Sequence, residues 1–421
     1  MTIRERPVPS LGSMATTRPL TPPDQRGKPP PIPSGALWWA VCSAAALGLA
    51  ACSSLGPHRV WGTAAALGYL AAALLAVRGR SPRAAGAVAA TGSVLLPLLW
   101  LLAVERAQLE VRVVARSAVL LLAEGTPYLQ HPVIPEDFNP YLPGMAVFGL
   151  PEAVAGPGPL TDPRLWMGAA FLVAFALALP TGARSASLRW IAACPLVALP
   201  LAVGGVDLPV AGLMCLGLAL AGRGRAGAAG VALGAAAALK WTAWPAIPVA
   251  LALLAAASRS TGRPADRGEG RRPAERAAWR CGLVALLTAA VLVLPAALRD
   301  PGAFRAHVVD FPLGLTDAVS SAASPLPGHL LATHVPGGRT PALLLLGVSA
   351  LLLALSLLLR PPATTADAAT RLALGLLLAI AFMPASRFGY LVHPLVLAVW
   401  AAVGETPGHP LLLRVRKQVS R

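Results

Sequence analysis

Long apolar runs recur along nearly the whole chain, and several approach the length of about twenty residues that crosses the hydrocarbon core of a bilayer. In lipid, backbone polar groups must be satisfied within their own segment, and runs rich in Ala, Leu and Val achieve this as helices. The composition agrees, because 56% of the 421 residues are hydrophobic, 13% are charged, and the mean hydropathy is +0.65. The sequence predicts an all-α polytopic membrane protein.

The hydropathy pattern divides the chain into about twelve transmembrane helices. The predicted spans are 36–56, 60–77, 84–104, 165–181, 189–203, 207–221, 226–239, 241–257, 280–298, 341–359, 371–385 and 388–403. Short runs within 189–240 leave a re-entrant pair open. With a cytoplasmic N-terminus, most arginines lie on the cytoplasmic side, as the positive-inside rule requires.

This topology predicts a multi-pass plasma-membrane protein with both termini in the cytoplasm. A disordered proline-rich tail at 1–34 precedes a transmembrane domain at 35–404, and a basic tail at 405–421 follows it. The transmembrane domain has predicted external loops at 105–164 and 299–340 and a cytoplasmic arginine-rich loop at 258–279. Since the net charge of +17 is distributed between the apolar runs, it favours contact with the lipid bilayer and argues against a nucleic-acid partner.

The external loop at 105–164 concentrates the scarce carboxylates of the chain. Of 18 acidic residues, seven lie there: Glu105, Glu110, Glu124, Glu136, Asp137, Glu152 and Asp162. Apolar residues from Val111 to Leu121 recur at helical spacing, and Arg112 and Arg116 lie on another face. This pattern predicts an amphipathic helix at the membrane interface, with the function facing outward.

Glu110 and four short motifs have an informative order and spacing. Glu110 lies about eighteen positions before the tyrosine that ends the segment Gly125–Tyr128. An aromatic, proline-rich segment, Phe138–Gly144, follows. Gly204–Pro209 and Ala238–Trp241 come later in the chain. Together they resemble glycosyltransferase family 87, polytopic GT-C enzymes that include actinobacterial mannosyltransferases. The chain departs from the family pattern at Glu110, where Asp is usual, and at Trp241, where Pro is usual.

The resemblance implies a GT-C-like bundle and transfer of a hexose, expected to be mannose, from a polyprenyl-phosphate sugar to an extracytoplasmic glycolipid or polysaccharide. Inverting transfer needs one carboxylate as general base, and cations or backbone donors for the leaving phosphate. The alternative is a transporter or lipid flippase, because twelve crossings fit that class equally well. A transporter, however, is expected to carry its polar groups at mid-membrane.

The resemblance makes Glu110 the expected base, and Asp137 the second candidate for the base or a ligand of the acceptor sugar. For Glu110 the alternative is an interfacial ion pair with Arg106 or Arg112. For Asp137 it is an Asx-type turn before Asn139.

Lys240 is expected to bind the donor phosphate. The other two lysines, Lys28 and Lys417, lie in the tails, and an ionisable residue at membrane depth is costly enough to indicate function. The alternative is a lysine that snorkels beside Trp241. Asp207 is either a ligand of a substrate hydroxyl or a helix N-cap.

Further candidates lie in both external loops and before the last predicted helix. Arg387 and Arg305 are expected phosphate ligands, and His307 is a candidate contact of donor or acceptor. His393 is interpreted as an interface anchor beside Tyr390. The remaining expected substrate contacts are Tyr128, Asn139, Tyr141 and His329.

The sequence contains no Walker-type loop, no Asp-x-Asp motif and no His/Cys cluster, which disfavours an ATP-driven pump, a nucleotide-sugar donor and a zinc enzyme. The five cysteines lie in or beside apolar runs and are predicted to be small buried hydrophobes. No metal site and no resident cofactor are expected, although a divalent cation held by two carboxylates is left open.

Overall fold

The structure is a computed structural model that describes residues 34–256, 271–318 and 322–404. Helices make up 79% of it. No strand occurs in the described ranges, and a single isolated β-bridge joins Ala323 to Ser386. The prediction of an all-α protein is confirmed. The predicted tails and most of the arginine-rich loop at 258–279 lie outside the described residues.

The α-helices follow one another along the chain with short connections. They are α1 (Ser34–Cys52), α2 (Gly56–Val77), α3 (Pro82–Ala90), α4 (Leu96–Ala103), α5 (Leu109–Glu124), α6 (Leu150–Ala155), α7 (Pro163–Ala178), α8 (Arg184–Ala193), α9 (Pro195–Val203), α10 (Asp207–Gly222), α11 (Ala226–Leu239), α12 (Ala246–Ala256), α13 (Arg271–Arg299), α14 (Pro301–Arg305), α15 (Pro327–His334), α16 (Arg339–Leu359), α17 (Thr365–Phe382) and α18 (Val392–Gly404).

Six units of the described chain are long and apolar enough to cross a bilayer: α1, α2, the continuous α3–α4 unit, α13, α16 and α17. Helices α8 and α9 meet at a bend of 76°, and together they form a seventh candidate span if the pair counts as one. The other apolar helices have 10–17 residues. Each predicted span overlaps one of these helices, and the total of twelve crossings stays a prediction.

Glycines allow neighbouring helices to approach closely. A Cβ atom on Gly92 would lie 2.4 Å from the Cα of Gly68 in α2, and one on Gly234 of α11 would lie 2.3 Å from the carbonyl oxygen of Ala285 in α13. In lipid, helix association depends on close packing of this kind, because the lipid chains are as apolar as the side chains. These contacts hold α2 to the α3–α4 unit and α11 to α13.

The helix bundle has two chemically different ends. Helix α10 begins at Asp207 and α11 finishes beside Lys240, so both residues lie at one end, which we call the site end. The connection between these helices carries Arg223 and Arg225 at the other end, the arginine end. Arg223 donates there to the carbonyl of Ala178, at the last residue of α7.

Helix α5 confirms the predicted helix after Glu105. Val111, Val114 and Ala118 are buried, whereas Arg112 is exposed, as the spacing predicted. The helix stops at Gly125, whose φ of 77° favours a residue without a Cβ atom. Its apolar face packs on the segment Pro143–Gly149, so its buried side faces protein. Its position at a membrane interface stays a prediction.

Candidate functional site

Two ion pairs lie near each other at the site end, and they join residues from distant parts of the chain. The Arg387 guanidinium donates to the carboxylate of Glu110, and the Lys240 ammonium lies 2.5 Å from the carboxylate of Asp207. Tyr390 links the two pairs, because its backbone amide donates to the Arg387 carbonyl at 3.0 Å and its ring centroid lies 4.3 Å from the Lys240 ammonium. We call these four residues the charge cluster.

Glu110 lies in the first turn of α5, where the helix dipole favours a carboxylate. The preceding loop is fixed by a 3.3 Å hydrogen bond from the Gln108 amide to the carbonyl of Val203, at the end of α9. The Glu110 side chain is 18% exposed. Local spacing suggested Arg106 or Arg112 as its partner, but the described chain pairs it with Arg387 instead.

Arg387 is positioned by an extended segment from the predicted second external loop. The Ser324 amide donates to the Ser386 carbonyl at 3.0 Å, and the Phe388 amide donates to the Ser324 hydroxyl at 3.1 Å. His329 donates to the carbonyl of Pro384 at 3.0 Å. The Arg387 side chain remains 34% exposed, so an anion can reach its guanidinium. Through its hydrogen bond to Pro384, His329 supports the loop that carries Arg387. Its predicted substrate contact stays a prediction.

Asp207 and Lys240 form the buried half of the charge cluster, and their side chains are 12% and 11% exposed. Asp207 is the first residue of α10 and follows a tight turn, in which Gly204 has a φ of 110°. The N-cap of α10 is Val206, so the capping interpretation of Asp207 is wrong. Lys240 lies in extended backbone after α11, and its ammonium points at Asp207 rather than snorkelling. Burial makes each charge depend on the other.

Aromatic rings flank the Lys240 ammonium. It lies 4.3 Å from the ring centroid of Tyr390 and 5.7 Å from that of Tyr141. Both distances are within the range of a cation–π interaction. Tyr141 was predicted as a substrate contact, and burial raises the pKa of its hydroxyl well above the usual range. The missed residue is Tyr390, which sequence reasoning named only as a neighbour of His393.

His393 lies behind Asp207 and is completely buried, so its interpretation as an interface anchor is wrong. Its Nδ1 atom lies 3.1 Å from the carbonyl oxygen of Tyr390 and therefore carries the hydrogen. Its Nε2 atom lies 3.2 Å from the Thr242 hydroxyl and 3.5 Å from the Asp207 carboxylate. A neutral His393 accepts from Thr242, and a protonated one adds a second cation to Asp207.

Other predicted site residues, in the predicted first external loop, form a buried scaffold. The Tyr128 hydroxyl donates to the carbonyl of Tyr141 at 2.8 Å, and the Asn139 side chain donates to the Ser117 hydroxyl at 2.9 Å. The backbone amide of Asn139 donates to Nδ1 of His307 at 2.8 Å, and Nε2 of the same ring donates to the Leu129 carbonyl. Tyr128 and Asn139 thus place Tyr141 against Lys240, and their own polar groups are engaged within the protein.

Asp137 and Arg305 make their contacts with residues outside the charge cluster. The Asp137 carboxylate accepts hydrogen bonds from the amides of Val133 and Ile134, at 3.0 and 3.1 Å, and these bonds lower its pKa. This geometry supports the turn interpretation against a role as base. Arg305 is 72% exposed and forms an ion pair with Asp310 at 3.3 Å. The partner of Arg305 is thus a neighbouring carboxylate, and its predicted contact with phosphate stays a prediction.

No group of three His, Cys, Asp or Glu side chains with metal-binding geometry occurs among the described residues. Both carboxylates of the charge cluster instead face cationic side chains. Comparison with family models, curated proteins and solved structures gives no match to this chain. The function must therefore be inferred from the residues and their contacts.

Proposed function

We propose that the protein is an integral-membrane inverting glycosyltransferase of the family 87 type. It moves a hexose, expected to be mannose, from a polyprenyl-phosphate sugar to a glycolipid or polysaccharide acceptor. One observation carries the proposal: the charge cluster combines a carboxylate at a helix N-terminus with two cations, one of them accessible. These are the groups that one base and one phosphate leaving group require.

Each member of the cluster has a role in this reaction. The oxygen of the acceptor hydroxyl forms a bond to the anomeric carbon while the bond from that carbon to the phosphate oxygen breaks. The bonding electron pair leaves with the phosphate, and the hydroxyl proton passes to Glu110. Arg387 and Lys240 bind the phosphate, and Asp207 with His393 holds Lys240 in position. A phosphate leaves as a stable anion, so no second carboxylate has to protonate it.

The arrangement of charges along the bundle supports an extracytoplasmic site. Arg223, Arg225, Arg276 and Arg280 lie at the end opposite the charge cluster. Under the positive-inside rule, that arginine end faces the cytoplasm and the site end faces outward. A polyprenyl-phosphate donor places its phosphate at the membrane surface, which is the depth expected for a cluster at the helix ends.

The test is transfer of labelled mannose from polyprenyl-phosphate mannose by the purified protein in lipid nanodiscs, with membrane glycolipid as acceptor. Glu110→Gln is compared with Glu124→Gln, which alters an exposed carboxylate of the same helix. We expect transfer by the wild type and the control, and a loss of about a hundredfold or more in Glu110→Gln. Equal transfer by both variants would refute the base.

A transporter or lipid flippase is the second candidate, and one observation favours it. The bend of 76° between α8 and α9 resembles the broken helices on which transporters build their substrate sites. Translocation of a fluorescent polyprenyl-phosphate lipid across proteoliposomes separates the two functions. Translocation without sugar transfer would favour the flippase, whereas transfer without translocation favours the enzyme.

A further inference from the structure

A second polar feature lies at the arginine end, outside the proposed active site. A cavity of about 600 Å³ opens between the start of α11 and the first turns of α13. Its lining residues include Arg225, Arg276 and Arg280, which are all exposed. None of the described residues that line it is acidic. The cavity therefore collects three positive charges from two chain segments.

These guanidinium groups differ from their neighbours at the same end. Arg223 donates to the carbonyls of Leu177 and Ala178, and Arg371 donates to the carbonyl of Ser356 at 3.1 Å. Those arginines cap helix ends. Within the described part of the chain, the three cavity arginines have no such hydrogen bond or ion pair. Their charges repel one another, and a bound anion would relieve that repulsion.

The backbone contributes to the same cavity. Helix α11 begins at Ala226, and its N-cap residue Arg225 makes no side-chain capping hydrogen bond. The first amides of a helix lack intrahelical acceptors and carry part of the positive helix dipole. Gly227 leaves room for Arg280, because a Cβ atom there would lie 3.3 Å from the guanidinium. Because Gly227 has no side chain, Arg280 can lie across the start of α11.

We propose that this cavity binds a phosphate group. Arginine guanidiniums and helix N-terminal amides are the donors that proteins combine for phosphate recognition. The cavity cannot be part of the charge cluster, because the 14 residues of α11 place about 21 Å between them. The phosphate comes either from the headgroup of an anionic phospholipid or from a soluble phosphorylated compound. This proposal is independent of the glycosyltransferase function.

The test compares two double variants with equal loss of charge. Arg276→Gln/Arg280→Gln removes two cavity arginines, and Arg78→Gln/Arg80→Gln removes two exposed arginines that follow α2 at the same end. The probes are phosphatidylglycerol, counted on the detergent-solubilised protein by native mass spectrometry, and inorganic pyrophosphate, measured by calorimetry. Arg276→Lys/Arg280→Lys tests for rescue, and the thermal midpoint of each variant checks its folding.

The proposal expects the cavity variant to lose at least tenfold in affinity for one probe, while the control variant changes less than twofold. The probe whose affinity falls identifies the source of the bound phosphate. A loss for phosphatidylglycerol indicates a lipid headgroup, and a loss for pyrophosphate indicates a soluble phosphorylated compound. The lysine variant is expected to recover part of the binding. Equal losses in both double variants, or no binding of either probe by the wild type, would overturn the proposal.

Discussion

Arg387 donates to the carboxylate of Glu110, which lies 277 positions away in the sequence. The ion pair thus joins the proposed base, Glu110, to the more exposed of the two proposed phosphate ligands, Arg387. A donor phosphate that binds Arg387 must compete with Glu110 for the guanidinium. A Glu110 released in this exchange is then available to take the acceptor proton. Under the proposed function, donor binding and release of the base are one exchange of ion pairs.

This exchange predicts opposite effects of Glu110→Gln on binding and on transfer. The variant removes the competitor of the phosphate, so we expect donor affinity to rise by about 1 kcal/mol, or roughly fivefold, while transfer is lost. Equilibrium binding of a fluorescent polyprenyl-phosphate lipid measures the first effect, and product formation measures the second. Glu124→Gln is expected to change neither. Weaker donor binding in Glu110→Gln would contradict the exchange.

The buried pair of Asp207 and Lys240 predicts strong coupling in a double-mutant cycle. Asp207→Asn or Lys240→Met alone leaves an uncompensated buried charge, so each is expected to lower the free energy of unfolding by about 3–5 kcal/mol. The double variant should lose much less than the sum of the single losses. Unfolding in mixed micelles measures these values.

The exposed pair of Arg305 and Asp310 supplies the matched control for this cycle. Its arginine is 72% exposed, so Arg305→Gln and Asp310→Asn should each cost no more than about 1 kcal/mol, and they should be nearly additive. A coupling energy for Asp207 and Lys240 as small as that of the exposed pair would show that the buried pair does not stabilise the fold.

His307 predicts a loss of stability in acid. Burial lowers its pKa below the ordinary value of 6.5, and its Nδ1 atom must stay unprotonated to accept from the Asn139 amide. The unfolded chain takes up the proton first, so stability is lost as the pH falls below about 6.5. We expect His307→Ala to be less stable than the wild type at pH 8, with a smaller further loss at pH 5.

Thermal midpoints at the two pH values measure this difference. His334 is exposed on α15, and its replacement by Ala should keep the pH dependence of the wild type. An unchanged pH dependence in His307→Ala would show that His307 does not cause the loss.

The sequence was sufficient for the helices and insufficient for their contacts. Lipid leaves helices as the only solution for long apolar runs, so each predicted span overlaps a helix, and the spacing after Glu110 predicted the faces of α5. Lys240 was identified because lysine is scarce, but its partner Asp207 lies 33 positions away and was interpreted as a ligand of a substrate hydroxyl or a helix N-cap. No local pattern links Glu110 to Arg387, since that contact depends on how distant helices pack.

Exposure was equally hard to predict. Arg305 and Arg387 both lie between predicted membrane spans, and sequence reasoning gave them the same role. In the described residues, the contacts of Ser324 and His329 hold the loop that carries Arg387, whose guanidinium donates to Glu110, whereas Arg305 pairs with Asp310. His393 shows the reverse error, since a histidine near a helix start can face solvent or the core, and here it faces Asp207.

The close approach of Gly92 to Gly68 predicts that this contact tolerates no side chain. A Cβ atom on Gly92 would lie 2.4 Å from a backbone carbon that cannot rotate away, so Gly92→Ala must separate α2 from the α3–α4 unit. We expect a loss of about 1–3 kcal/mol in the free energy of unfolding, as for other overpacked contacts. Gly48→Ala in α1 is the control, because nothing lies within 4 Å of its added Cβ atom and alanine favours a helix. Unfolding in mixed micelles should show a destabilised Gly92→Ala and an unchanged or more stable Gly48→Ala. Equal stability of the two variants would mean that α2 does not pack at this distance in the membrane.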